Sequence, residues 1–204
     1  MARKKHSEPV RPKRPSTLVG RKTVPAVIKE REELERLLRV HDPEMAEVTR
    51  SRIKPAQLPL VRRIALDHAS EGGGMVARKH AIALLGSLGA IEDLNLLSDL
   101  ARFDAEPAIR AEALTGLGRS GVAMAVPTLL EAIGSSDMLE AAAASKALDI
   151  LARKVGIAAV RAHLDKGSSK GKRLATAVLD KMASPAAGRS VKRSESRRDP
   201  VTLR

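Results

Sequence analysis

Histidine is the first residue type to test for chemistry, because its charge changes near neutral pH. The chain of 204 residues has five, His6, His41, His68, His80 and His163, and no two are closer than 12 positions. No H-E-x-x-H spacing occurs, so no helix offers a paired zinc site. A general base needs a partner within hydrogen-bond reach, and this spacing supplies none. Cysteine is absent, which removes thiolate metal sites, cysteine nucleophiles and disulfides. GSSKGKR at 167–173 invites comparison with a phosphate loop. It is one residue short of G-x-x-x-x-G-K-[ST], ends in Arg173 instead of a hydroxyl, and follows no strand. The reading is therefore a non-enzyme with no catalytic residue, no metal and no cofactor.

What the sequence does hold is charge, placed unevenly. The net formal charge is +13. Residues 1–25 carry eight basic side chains and one acid, and residues 184–204 carry six and two. Residues 76–149 hold six basic and ten acidic side chains, and residues 150–183 hold eight and two. Basic segments of this kind meet nucleic acid or acidic surfaces. Lys166, Lys170, Lys172 and Arg173 form a basic loop able to grip phosphates or an acidic partner; the plainer reading is a solvated run at the end of the domain. In the N-terminal tail Pro9, Pro12 and Pro15 recur every third residue. In a polyproline II helix they share one edge, and Arg11 and Arg14 share another. This fits either a docking peptide or a stiff charged spacer. The tail is also able to fold back on the acidic stretch and compete with a partner there.

Composition bounds the elements that position these residues. Phe103 is the single aromatic, with no Trp or Tyr. Sheet proteins draw on aromatic and β-branched residues, so a core of Leu, Ala, Ile and Val favours helices. The same lack removes the stacking platforms of most single-strand binders. No apolar run approaches the roughly 18 residues of a membrane span, and no signal peptide is evident. A cytoplasmic setting is expected. Residues 1–24 and 184–204 read as disordered basic tails around an all-helical domain at 25–183. Pro25 opens a first helix, with Val27, Leu34 and Leu38 on one side. Asp42-Pro43-Glu44 starts a second as N-cap, N1 and first-turn acid. Pro55 and Pro59 lead into a third, and EGGG at 71–74 breaks the chain. Helices are then predicted at 75–88, 91–102, 106–118, 122–133, 137–153, 156–166 and 169–182.

These helices repeat. ALLGSLGA starts at Ala83 and ALTGLGRSG at Ala113. Aligning Ala81 with Ala113 and Ala147 places Leu85 on Leu117 and Leu151, and Gly86 on Gly118 and Ala152. The offsets are 32 and 34 residues, a period typical of stacked helical hairpins. Small residues on successive turns let helices approach closely. The second glycines, Gly89 and Gly121, suit positive φ at a helix end.

AIRAEALTGLGRSGVAMAVPTLLEAI at 108–133 resembles the short bacterial HEAT-like repeat, the type found in bilin lyases and many bacterial scaffold proteins. The family pattern has an Asp, then apolar-Arg-x-x-Ala, then Ala-Leu-Gly and a second helix. Asp104, Ile109, Arg110, Ala113, Leu117 and Gly118 match it, as do Arg78, Ala81, Leu85 and Gly86 in the preceding unit. The third unit keeps Asp137 and Ala147 but has Ala144 where the Arg should stand. The resemblance covers 75–166, with 26–70 read as degenerate capping hairpins. It implies a right-handed α-α superhelix, a HEAT-like solenoid. It also implies that Arg78 and Arg110 pair with acids of a neighbouring repeat rather than with a ligand. Two enzyme groups with such repeats do not fit. The di-iron hydroxylases need His-Glu pairs, and this chain has no His-Glu dipeptide; the DNA glycosylases need Trp and Tyr. Nothing short separates the chain from bilin lyases, and only the shared fold supports that activity.

Two functions follow. One is a non-catalytic scaffold that binds a protein partner on its concave face, lined by the second helix of each hairpin. Those helices carry Glu92, Asp93, Asn95 and Asp99, then Thr128 and Glu131, then Arg161 and His163. The tails would act as tethers. The alternative is nucleic-acid association, with phosphates held by the tails and the basic C-terminal end, non-specifically and with strong salt dependence.

Overall fold

The computed structural model describes residues 24–39, 51–67 and 74–184. Every regular element among them is helical. α1 is Val24–Leu38, and α2, Leu58–Leu66, follows a 3-10 turn at Pro55–Gln57. Next come α3 (Gly74–Leu88), α4 (Ile91–Phe103), α5 (Pro107–Ser120) and α6 (Val126–Ile133). α7 (Met138–Val155), α8 (Ile157–Arg161) and α9 (Ser169–Ala183) complete the series. None of these helices is long and apolar enough to cross a membrane. The Asp42 cap, Arg11 and Arg14 lie outside the described residues.

Local chemistry sets the helix ends. The Asp137 carboxylate accepts from the Leu139 and Glu140 amides at 2.8 and 3.3 Å and caps α7. Ser168 does the same for α9, accepting from the Gly171 amide at 3.1 Å. Gly89 and Gly121 follow α3 and α5 at φ +65° and +71°, where any side chain would be strained. Two segments differ from the predicted helices. The 122–133 stretch splits into a 3-10 turn at Ala123–Ala125 and α6. Pro127 has no N–H for the carbonyl four residues back, so it serves in the first turn instead. The 156–166 stretch stops as a helix at Arg161 and ends in a 3-10 turn at Leu164–Lys166. Gly167 then lies on Leu130, where a Cβ would come within 2.6 Å of Cδ1.

α5 lies between α3 and α7, while α4 packs on α5 and α6 packs on α7. One apolar core runs from Leu34 and Leu38 in α1 to Ala175 and Leu179 in α9. The aligned residues Ala81, Ala113 and Ala147, and Leu85, Leu117 and Leu151, all belong to it. Burying one such leucine is worth about 1.5–3 kcal/mol. Glycine sets how close the helices come. A Cβ on Gly86 would sit 2.6 Å from the Gly116 carbonyl oxygen, and one on Gly118 would sit 2.6 Å from Ala147 Cα. Residues two apart on a helix point to nearly opposite sides, at about 100° per residue. Gly116 therefore meets α3 and Gly118 meets α7, so α5 is gripped backbone to backbone on both flanks.

Two arginines lock the same row. Arg78 is buried; its Nε donates to the Ala65 carbonyl at 3.2 Å and its Nη2 to Asp104 at 2.5 Å. Arg110 is half-buried and donates to Glu140 at 2.5 Å, with Asp137 at 3.5 Å. Each reaches acids that follow the next helix in the chain, so neither is left for a ligand. At Ala144 no arginine continues the series. There the packing also changes: α8 is a short helix, and α9 packs on both α6 and α7.

Candidate functional site

The residues nominated for a partner-facing row fall into separate environments. Glu92 and Glu131 are exposed but already paired across neighbouring helices. Arg62 on α2 donates to Asp93 at 2.6 Å and also to Glu92; Arg102 on α4 donates to Glu131 at 2.9 Å. Asp93, then Glu92, push the Arg62 guanidinium pKa above its ordinary value by hydrogen bonding. Asp93 is buried, and its second oxygen has no partner among the described residues. Thr128 is 5% exposed and bonds Ser98 Oγ at 3.3 Å, so it packs α6 against α4 and does not reach a partner. Arg161 is exposed on α8, pairs with Asp180 of α9 at 2.6 Å, and so stands apart from the α4–α6 face. Asn95 and Asp99 remain. They are exposed on α4, one turn apart, with no partner among the described residues.

Next to Asp99 lies the feature that residue patterns did not single out. Phe103, the last residue of α4, is 77% exposed. It shares a cleft with Leu66, Leu96, Asp99 and Leu100. The adjacent Asp104 turns inward to Arg78 and also accepts from the Glu106 amide at 3.0 Å. That anchor holds the end of α4 and sets Phe103 on the surface. A single exposed apolar side chain is ordinary. An exposed aromatic grouped with the exposed Leu66, the partly buried Leu96 and a free carboxylate is a preformed patch of the kind partners bury.

The basic loop divides in two. Lys170 donates to the Gly134 carbonyl at 2.7 Å and Lys172 lies 3.6 Å from Asp165. Lys166 and Arg173 are exposed and have no partner among the described residues. The glycines that gave GSSKGKR its likeness to a phosphate loop serve packing. Both Gly167 and Gly171 press on Leu130, Gly171 with a Cβ position 3.0 Å from its carbonyl carbon. α9 can reach α6 only because neither carries a side chain.

Of the described histidines, His80 and His163, neither bonds the other. His80 Nδ1 bonds the Leu38 carbonyl, joining α3 to α1, and the buried Nδ1 of His163 has no partner among the described residues. His6, His41 and His68 lie outside the described residues. No group of three or more His, Asp or Glu side chains able to hold a metal occurs among the described residues. In comparisons with known proteins, no family model matches the chain and no curated sequence is similar to it.

Proposed function

We propose that the chain is a non-catalytic scaffold, a right-handed superhelix of HEAT-like hairpins that docks a protein partner on the face formed by α4 and α6. The observation that carries this reading is the cleft at Phe103. Aromatic side chains bury large areas and dominate interface energetics when a partner excludes water around them. Asp99 supplies a free carboxylate in it, and Asn95 lies one turn away on α4. Glu92 and Glu131 are exposed elsewhere on α4 and α6. Their exposed ion pairs are worth about 0–1 kcal/mol each, so a partner can recruit them at little cost. The close stacking of α3, α5 and α7 supports the superhelical part of the reading. In such an array the second helices, α4 and α6, line the inner surface.

The competing reading is phosphate binding through Lys166, Arg173, Arg11, Arg14 and the tails. Salt separates the two. At about 1 M salt, charge attraction is screened beyond about 3 Å, and phosphate binding collapses. The test is capture of partners on the immobilised full chain at that salt, with wild type and Phe103→Ser side by side. A protein retained by wild type and lost by the variant is expected. Retention that ignores Phe103, or retention of nucleic acid alone at low salt, overturns the reading.

A further inference from the structure

We propose a second docking site in the groove between α7 and α9, with an acidic amphipathic segment of a partner protein as its occupant. The groove is lined by the half-buried Val178 and Met182 and the exposed Ala142, and by the exposed cations Lys146, Arg153 and Lys181. Asp149 is the one acid lining it, and both its oxygens accept from Arg153, at 2.9 and 3.1 Å. Lys146 and Lys181 are exposed and have no partner among the described residues. Glu112, which lines the adjoining pocket with Lys146, already pairs with Arg119. Residues 150–183 contain eight basic side chains and only two acids, Asp165 and Asp180. Those two already pair with Lys172 and Arg161.

The charge calls for an anionic ligand, and the apolar lining decides which kind. A nucleic-acid backbone would engage the lysines through phosphates and leave Val178 and Met182 bare. An amphipathic helix matches both parts. Apolar residues at i, i+3, i+4 and i+7 meet the apolar lining, and carboxylates on the flanks meet the cations. The α7 side of the groove runs from Ala142 to Arg153, roughly 16 Å at about 1.5 Å per residue, or some three helical turns. This site shares no residue with the Phe103 cleft and stands whether or not that cleft binds a partner.

Methionine methyl NMR on the full chain tests it, because Met182 lies in the groove while the exposed Met124 lies outside it. The probe is a synthetic peptide of about 14 residues with Leu at i, i+3, i+4 and i+7 and Glu elsewhere. Two comparison ligands are the same peptide with Leu→Ser and a random DNA duplex. The Leu/Glu peptide is expected to shift the Met182 methyl and leave Met124 in place. Lys146→Glu with Lys181→Glu should raise its Kd about tenfold or more, with the helical circular dichroism unchanged. A still Met182 overturns the proposal. So does an equal response to the Leu→Ser peptide or the duplex, which marks a general anion surface. Should the charge-reversed variant lose helicity, Lys146→Ala with Lys181→Ala, read at the same methyl, decides.

Discussion

The seam where α3, α5 and α7 meet and the cleft beside Phe103 use similar residue types for opposite ends. In the seam, apolar side chains are buried, glycines bring backbones together, and Arg78 is held on Asp104. At the cleft, Phe103 and Leu66 face solvent and Asp99 has no partner among the described residues. The seam residues recur about every 32 to 34 positions; Phe103 occurs once. Recurrence marks what each hairpin must do for its neighbour. Phe103 answers to no such requirement within the chain: it occurs once and stays exposed.

The largest expected effect comes from breaking the seam at its buried charge. Arg78→Ala leaves the Asp104 carboxylate buried without its guanidinium. Removing one partner of a buried pair typically destabilises by about 3–5 kcal/mol. Urea unfolding followed by far-UV circular dichroism measures this, and a midpoint equal to wild type would show that Arg78 carries no such role. Gly118→Leu comes next. Its Cβ alone would press on Ala147 backbone, and overpacking of this kind costs about 1–3 kcal/mol. An unchanged melting temperature would mean that α5 and α7 do not meet there.

Arg110→Ala sharpens the comparison within the seam itself. Arg110 is half-buried and shares its charge between Glu140 and Asp137. Asp137 is partly exposed and Glu140 keeps the Ser135 hydroxyl, so the expected cost is about 1–3 kcal/mol, below that of Arg78→Ala. Equal losses at the two positions would show that burial does not set the strength of the rungs.

The seam was legible in the sequence because its residue types encode contact. A glycine in a helix signals close approach; the pairing of Arg78 and Arg110 with acids of a neighbouring hairpin is what the HEAT-like resemblance implies. Gly116 escaped because the alignment sets Gly86 on Gly118, although the contact runs from Gly86 to Gly116. Repeats report equivalent positions and not which positions touch. The pairs of Arg62 with Glu92 and Asp93, and of Arg102 with Glu131, follow no fixed local pattern. They appear only once helices some thirty residues apart lie side by side. Thr128, expected on the concave surface, is buried for a related reason: Ser98 satisfies its hydroxyl. The basic groove was half legible. Its charge excess at 150–183 is plain in the composition, but the apolar lining of Ala142, Val178 and Met182 exists only where α7 and α9 meet.

The smallest expected effect on stability is the one that matters most for function. Phe103→Ser removes an exposed side chain, and surface changes of this kind stay within about 0.5 kcal/mol. Its urea midpoint, measured beside partner capture at high salt, tests the separation of folding residues from binding residues most directly. A wild-type midpoint together with lost capture is the predicted result. A lowered midpoint, or a partner that stays bound without Phe103, would contradict it.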